Sequence, residues 1–410
     1  MSALDLTMTL SSPSARPKFC RVAVDGSRLT TSTWAEGRRP RENTQDFASS
    51  TAAEAGFAEY RRKKLREGFA YVADPARAVR GDVVLDLRAP HRCTGGFDLS
   101  PDGSTLVVAS FRDSTNHAEL YLIDVATNSR QLIHTESGLV GGQKPLPHAV
   151  LFDAAAERIA YMLNGETRLL DVPSGQSRTL ATYVQYKDSR FNPFRVRPQW
   201  DAERRRLLVF DSGDTARVLD RDAEPVFATS TVRGSADCWA AGLSPSGRLL
   251  ALCFTSGSAY DAGNPRVVEV EVWDVDRGQL ACRLPVDNRP DTIGLDPTDT
   301  LLIAGSEHLD GPAAYDPETG ELLWYCPDPH RSERWARCHG WAYSPDGKTL
   351  AVGGRGETLI VDAATRRHDP AFMRRDEQGG TGRTDLIRFS SDQTLVASGG
   401  DNGRIVVRKL

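Results

Sequence analysis

Basic side chains and one tryptophan in the first eighty residues have the types and spacing that suit contact with nucleic-acid phosphates. The candidate residues are Trp34, Arg38, Arg39, Arg41, Arg61, Arg62, Lys63 and Lys64. In a helix, residues 61–64 would span about 300° of the surface, so most of them must face solvent or a partner. Cations in this arrangement could follow a phosphate backbone with salt-sensitive affinity. The alternative is a solvated helix face, in which Glu54, Glu59 and Glu67 offset the positive charge.

Charge is distributed unevenly along the chain. Residues 1–80 carry 14 Lys and Arg against 9 Asp and Glu, whereas the remaining 330 residues carry 37 against 46. The formal charges of the two parts are therefore +5 and −9, although the whole chain carries only −4. This asymmetry predicts two modules with different partners, the first of them basic.

A repeated unit follows the basic segment. Each copy places an apolar strand before a turn rich in Pro, Asp, Ser and Gly, and a second apolar strand after it. Anchor residues immediately before the turns recur every 43 to 53 positions, at Ser100, Asp153, Asp201, Ser244, Asp296, Ser344 and Ser390. Four short antiparallel strands would fill each copy, which predicts the blades of a β-propeller.

The repeated stretch resembles the WD40 family and its looser bacterial relatives. The phrase SPDG occurs at 100–103 and at 344–347, and residues 273–274 match the family's Trp-Asp dipeptide. The resemblance implies a WD40-like seven-bladed β-propeller. Because the last copy lacks a fourth strand, we expect residues 81–90 to close the last blade by pairing with residues 404–410, which would remove an exposed edge.

Segments that connect successive copies are rich in arginine and aromatic residues. We expect these segments on one rim of the propeller, where such a composition favours a protein or peptide partner. The candidate rim residues are Arg190, Phe191, Phe194, Arg195, Arg331, Arg334, Trp335, Arg337, Arg374 and Arg375. Acidic neighbours such as Asp188, Asp328 and Asp376 dilute the positive charge, so a rim with no specific partner is the alternative.

A weak metal-binding pattern lies at the predicted channel mouth. His148, Asp291, His339 and Asp385 each precede an anchor by five residues, and His and Asp are common metal ligands. Turn and capping roles explain these residue types equally well. The sequence contains no G-x-S-x-G, Walker or H-E-x-x-H motif. We therefore expect a protein without catalytic residues or cofactor, and retain a metal-dependent lactonase- or hydrolase-like propeller as the alternative.

The first eighty residues predict two strands followed by a helix. The first strand lies at 18–26 and ends in Asp25-Gly26, a strong hairpin signal. The helix is expected at about 52–67, with Thr51 as its N-cap in a capping box and Gly68 just past its end.

The order of these elements resembles the WGR domain of poly(ADP-ribose) polymerases and of many bacterial proteins. The residues that carry the resemblance are Trp34, Gly37-Arg38, residues 47–49 and residues 64–69. Two additional residues separate Trp34 from Gly37, so the Trp-Gly-Arg corner is altered. The resemblance implies that Trp34 and Arg38 contact a DNA end or a neighbouring domain; a core position for Trp34 is the alternative.

Composition and the order of elements predict a cytoplasmic, mainly β protein, and the resemblances to the WD40 and WGR families imply a bacterial one. No stretch of 18 apolar residues, no secretory signal and an odd, scattered set of seven cysteines support this location. We expect a disordered segment at 1–15, a small α+β WGR-like domain at 16–74, a linker at 75–80 and the propeller at 81–410. The expected function is that of a scaffold, with a protein partner on the rim, nucleic acid or a protein on the basic module, and no membrane contact. The identity of the partners and the oligomeric state stay open.

Overall fold

Antiparallel β-sheets account for most of the structure. The computed structural model describes residues 4–12, 15–112, 114–138, 147–163, 165–182, 197–211, 215–233, 236–256, 267–286, 290, 292–300, 302–305, 312–317, 319–325, 340–354, 358–372, 386–400 and 403–410. Within them, α1 with 17 residues is the longest helix, and no helix is both long and apolar enough to span a membrane.

The N-terminal domain consists of four strands and one helix. Their bounds are β1 Leu4–Ser12, β2 Ala15–Asp25, β3 Arg28–Ala35, β4 Arg41–Asp46 and α1 Ser50–Arg66. Each strand pairs antiparallel with the next along the chain. The predicted hairpin and helix are therefore present, with β1 added before them and β4 between β3 and the helix.

The expectation of a disordered segment at 1–15 is wrong for residues 4–12, which form β1. Leu6, Met8 and Leu10 alternate with polar residues, and they pack with Cys20 and Leu65 in one apolar cluster. Alternation of this kind is the pattern of a strand with one buried face. The apolar face of β1 covers α1, and this burial holds the segment in the sheet.

Helix α1 begins two residues earlier than predicted. Its N-cap is Ser49, whose hydroxyl accepts a hydrogen bond from the Ala52 N–H at 3.2 Å, so Thr51 is not the cap. The predicted end of the helix, at residue 67, is close to the observed end at Arg66. Gly68 ends the helix with φ +90° and donates its N–H to Leu65 O. A left-handed residue just past a helix favours glycine, which has no Cβ to clash.

Six separate sheets lie in the region predicted as a propeller, counted over the described residues. Their strands are β7 Arg92–Leu99, β8 Thr105–Arg112, β9 His117–Asp124 and β10 Arg130–Glu136; β11 Pro147–Phe152, β12 Arg158–Leu163, β13 Glu166–Asp171 and β14 Ser177–Thr182; β15 Gln199–Trp200, β16 Leu207–Asp211, β17 Thr215–Leu219 and β18 Pro225–Ser230; β19 Val232–Arg233, β20 Ala236–Leu243, β21 Leu249–Ser256, β22 Val267–Asp274 and β23 Gln279–Pro285; β24 Thr292–Leu295, β25 Leu302–Gly305, β26 Ala313–Tyr315 and β27 Leu322–Tyr325; and β28 Gly340–Tyr343, β29 Thr349–Gly353 and β30 Thr358–Asp362. A short 3₁₀ helix, Pro370–Phe372, follows β30.

The prediction of seven separate blades is wrong, because the strands expected in the last blade belong to a larger sheet. Those strands are β6 Val83–Arg88, β31 Leu386–Phe389, β32 Leu395–Gly399 and β33 Arg404–Lys409, and β5 Ala70–Val72 joins them to the N-terminal domain. The nine-stranded order is β31-β32-β33-β6-β5-β1-β2-β3-β4. The expected pairing of β6 with β33 is present. However, β5 covers the other edge of β6 and pairs on its far side with β1. A strand edge that a lone blade would leave open is thereby used to attach the N-terminal domain.

Strands β31, β32, β33 and β6 form what we call the ring end of this sheet, and it lies between the last and the first of the separate sheets. Strand β31 contacts β28 on one side and β7 on the other. The apolar cores fill the spaces between neighbouring sheets, as in the cluster that combines Leu87 and Ile405 with Phe97 and Leu106. Each sheet is therefore covered on both faces by its neighbours.

The anchor serines organise the turns that the sequence repeats. Ser100 Oγ donates to Asp102 at 2.6 Å and accepts from the Thr105 N–H at 2.9 Å. Ser344 makes the same two contacts, to Asp346 at 2.7 Å and from the Thr349 N–H at 3.0 Å. The hydroxyl replaces backbone partners within the turn, which explains why Ser precedes Pro-Asp-Gly in these copies.

A buried carboxylate connects the N-terminal domain with the ring. Asp86 in β6 has no exposed surface, and Arg61 of α1 contacts it at 2.5 Å. Arg404 of β33 binds the same carboxylate through two nitrogens, each at 2.8 Å. Burial by itself would raise the pKa of Asp86, but Arg404 and Arg61 outweigh burial and lower that pKa below its ordinary value. Asp86 therefore stays ionised between two cations.

We predict that Asp86→Asn destabilises the folded chain by about 3–5 kcal/mol, because it leaves two buried arginines without their counter-charge. The measurement is the free energy of unfolding in urea, followed by far-UV circular dichroism. Asp46→Asn is the matched control, since Asp46 pairs with Arg28 on the surface and such pairs contribute about 0–1 kcal/mol. Equal losses in the two variants would contradict the assignment.

Acid pH should reveal the same interaction. Because folding lowers the pKa of Asp86, its contribution to stability is complete above the ordinary carboxylate value of 3.8 and is lost as pH falls below that value. We expect the wild-type free energy of unfolding to fall more steeply between about pH 4 and pH 2 than that of Asp86→Asn. Parallel curves for the two proteins would show that Asp86 is not the titrating group.

Candidate functional site

The predicted basic run on α1 divides between two environments. Arg61 is buried against Asp86, and Lys64 is only 14% exposed, with its ammonium 2.6 Å from Glu67 and 5.1 Å from the centre of the Phe69 ring. Arg62 and Lys63 are exposed. Two of the four candidates therefore stabilise the domain and its attachment to the ring, and two face solvent. The helix-surface argument could not place Arg61, because its partner lies on a strand outside the domain.

Arg66 adds a third exposed cation to this part of α1. The sequence-based set of candidate residues omitted it, although it lies only four positions after Arg62. With Arg62 and Lys63 it forms what we call the helix group.

A second group of exposed cations lies between β3 and β4. Arg38 and Arg39 follow the turn at Gly37, and Arg41 is the first residue of β4. In the described part of the chain, no ion pair joins these three arginines to a carboxylate. We call Arg38, Arg39 and Arg41 the loop group.

Trp34 lies on the opposite face of the sheet from Arg41. Trp34 pairs with Phe19 in register, and the two rings stack with centres 5.5 Å apart. Arg41 pairs with Thr33, and neighbouring residues of a strand point to opposite faces. Cys20, the register partner of Thr33, packs with α1, so Arg41 is on the helix side and Trp34 on the open side. The structure therefore does not bring Trp34 together with the arginine of β4.

Several predicted residues fall outside the described part of the chain. They are the rim candidates Arg190, Phe191, Phe194, Arg195, Arg331, Arg334, Trp335, Arg337, Arg374 and Arg375, and the metal candidates Asp291, His339 and Asp385. For His148 the description covers the backbone in β11. Among the described residues, no three His, Cys, Asp or Glu side chains come close enough together to hold a metal ion.

A cavity of about 490 Å³ occupies the centre of the ring. Each of the six separate sheets and the ring end of the nine-stranded sheet contribute to its wall. One lining residue from each, in chain order, is Asp98, Leu151, Trp200, Leu243, Ile293, Trp341 and Arg388. These residues belong to the innermost strands. The cavity is therefore the described part of the propeller's central channel.

One charged cluster crosses the wall of this cavity. Asp98 of β7 is 1% exposed, and Arg204 binds its carboxylate at 2.9 Å while also donating to the carbonyls of Leu99 and Phe152. Arg388 of β31 approaches the other carboxylate oxygen at 3.4 Å. The three side chains come from three different sheets. They fix the inner strands relative to one another around the cavity.

Sequence reasoning missed this cluster, although a signal for it exists. Asp98 and Arg388 both lie two residues before an anchor. The remaining copies have Leu151, Gln199, Gly242, Gly294 and Ala342 at that position, so a charge there stands out. Because every copy places this position on an inner strand, a charged residue there indicates a charge in the wall of the channel. Asp98 and Arg388 are the two such residues.

Two cations of α1, Arg61 and Lys63, offer a direct comparison. We predict that Arg61→Met destabilises the chain by about 2 kcal/mol or more, because Asp86 loses one of its two cations. Lys63→Met removes the same charge from the solvent side and should stay within about 0.5 kcal/mol of the wild type. Chemical denaturation of the full chain gives both values. Similar losses would mean that Arg61 does not hold the domain to the ring.

Comparison with known proteins does not add to this description. No protein-family model matches the sequence, and a comparison with curated proteins gives no match. The geometry of the described residues is therefore the basis on which a function can be proposed.

Proposed function

We propose that this chain is a non-catalytic scaffold in which a WGR-like N-terminal domain binds nucleic acid and a WD40-like propeller presents a rim to a protein partner. The observation that carries the proposal is the loop group, Arg38, Arg39 and Arg41. These three arginines are exposed, and no carboxylate among the described residues forms an ion pair with them. Arginine is well suited to phosphate oxygens because its planar fork can donate two parallel hydrogen bonds.

The position of the loop group favours simultaneous contact with two partners. Strand β4 is the edge of the nine-stranded sheet, five strands from β6. At roughly 4.8 Å between neighbouring strands, Arg41 lies about 24 Å from the first strand of the ring. A nucleic acid bound along this edge would leave the propeller accessible to another molecule.

The helix group supplies a further set of cations on the same side of the sheet as Arg41. Trp34 is not part of this proposed interface, since it stacks on Phe19 on the open face. The open face also pairs its charges internally, as in Arg21 with Asp5 and Arg28 with Asp46. Phosphate binding is therefore expected on the helix side.

The propeller's part in the proposal depends on composition. The rim candidates combine arginine with Phe191, Phe194 and Trp335, and such side chains dominate the energetics of protein interfaces. A cytoplasmic location completes the proposal.

The test is binding of the full chain to a labelled blunt DNA duplex, measured by fluorescence anisotropy over a range of salt concentrations. We expect the triple variant Arg38→Glu, Arg39→Glu and Arg41→Glu to bind at least tenfold more weakly. Loss of three phosphate contacts should also reduce the slope of log affinity against log salt by about 2.7. The matched control changes Arg205, Arg221 and Arg277 to Glu, since these ring arginines are 71%, 75% and 78% exposed.

Two results would overturn the nucleic-acid part of the proposal. One is a wild-type chain that shows no salt-dependent binding at low ionic strength. The other is an equal loss of affinity in the ring control, which would mean that only the overall charge matters.

A further inference from the structure

The central cavity has the size and the lining of a small-molecule site. Its volume of about 490 Å³ falls within the roughly 300–1,000 Å³ of known ligand sites. Apolar and aromatic side chains make up much of the wall, among them Trp200, Trp341 and Phe389. A few charged groups converge on the same space, which is the usual arrangement for fixing the orientation of a ligand.

The acidic groups of the wall already accept hydrogen bonds from the protein. Asp98 is bound by Arg204 and by the Phe152 N–H, each at 2.9 Å. Asp201 accepts a hydrogen bond from the Arg205 N–H at 2.7 Å, and burial raises its pKa above the ordinary value. Each carboxylate is therefore engaged by at least one donor of the protein.

Arg388 lines the cavity, and its side chain makes one hydrogen bond to a described residue. Arg204 uses its two terminal nitrogens on Asp98 and two carbonyls, whereas Arg388 donates one of them only to the neighbouring Ile387 carbonyl, at 3.0 Å. Its Nε is buried, lies 3.4 Å from Asp98 and makes no hydrogen bond with any described residue. No hydrogen bond joins its Nη2 to a described residue either. The side chain is 31% exposed and lines the cavity, so a ligand there can contact the guanidinium at its terminal nitrogens, whereas Nε is enclosed.

Further buried donors surround the same space. The indole N–H groups of Trp200 and Trp341 have no hydrogen-bond partner in the part of the chain that the structure describes. Both indole nitrogens are enclosed within the wall, and the two tryptophans line the cavity with other parts of their side chains. The guanidinium of Arg388 has hydrogen-bond donors and no acceptor, so the complementary ligand is an acceptor.

We propose that the central cavity binds a small ligand with an aromatic body and one carboxylate or phosphate group, and that Arg388 holds the anionic group. Trp200 and Trp341 line the cavity and suit the aromatic body, because aromatic rings stack or meet edge to face. The anionic group would complete the hydrogen bonds of Arg388. The residues of this site belong neither to the rim candidates nor to the basic groups of the N-terminal domain.

The experiment compares probes of equal shape by isothermal titration calorimetry on the full chain. The probes are naphthoate, naphthyl phosphate and the neutral naphthylmethanol. We expect one equivalent of an anionic probe to bind at least tenfold more tightly than the alcohol, since hydrogen bonds to charged groups are about twice as strong as neutral ones. Preference for naphthoate or for naphthyl phosphate then identifies the anionic group.

Variants locate the site. Arg388→Gln should weaken the preferred anion at least tenfold and change affinity for the alcohol by less than about threefold, because only the charged contact is lost. Arg221→Gln, a change of the same kind on the ring surface, should alter neither affinity. Should Arg388→Gln fail to fold, as circular dichroism would show, the comparison of the three probes on the wild type decides alone. An alcohol that binds as tightly as the anions, no binding of any probe, or a folded Arg388→Gln with unchanged anion affinity would each overturn the proposal.

Discussion

Asp86 is the point at which the two parts of the molecule meet. One carboxylate, fully removed from solvent, contacts Arg61 from the helix of the N-terminal domain and Arg404 from the last strand of the ring. A buried ion pair is stable only when its charges are matched and its hydrogen bonds are satisfied. Closure of the ring by β33 and docking of α1 are therefore energetically connected, because each brings one of the two cations that Asp86 requires. Strand pairing connects the same two parts, because β6 lies between β33 of the ring and β5, which pairs with the N-terminal domain.

The same arrangement recurs elsewhere in the ring. Glu271 has no exposed surface and binds Arg233 at 2.8 Å and Arg283 at 2.6 Å, and the Trp273 indole also donates to it. Burial opposes ionisation, but these partners lower the pKa of Glu271. Asp98 with Arg204 and Arg388 is a third example. Each buried acid is met by two arginines, which suits the planar guanidinium better than the compact ammonium of lysine. The excess of 44 Arg over 7 Lys thus has a structural use in this fold.

Local patterns in the sequence predicted what local forces determine. The repeated turns, the helix, its end at Gly68 and the pairing of 81–90 with 404–410 follow from residue types and spacing, and the structure contains them. The alternation of Leu6, Met8 and Leu10 is the pattern of a strand with one buried face, and the expectation of disorder at residues 1–15 overlooks it. The burial of Arg61 and its ion pair could not be predicted, because Asp86 is 25 positions away on a strand assigned to another domain. The shared sheet was unpredictable for the same reason, since β5 has only three residues and no turn signal fixes its partner.

The nine-stranded sheet connects the two proposed sites through hydrogen-bonded strands. Arg388 lies on β31, at one edge of this sheet, and Arg41 lies on β4, at the other. The strands between them include β6 and β5, which carry or adjoin the Asp86 cluster. The N-terminal domain is therefore attached to the ring by backbone hydrogen bonds and a buried ion cluster as well as by the chain itself. A nucleic acid held at β4 would consequently set the orientation of the whole propeller, because a hydrogen-bonded sheet transmits position in a way that a flexible linker does not.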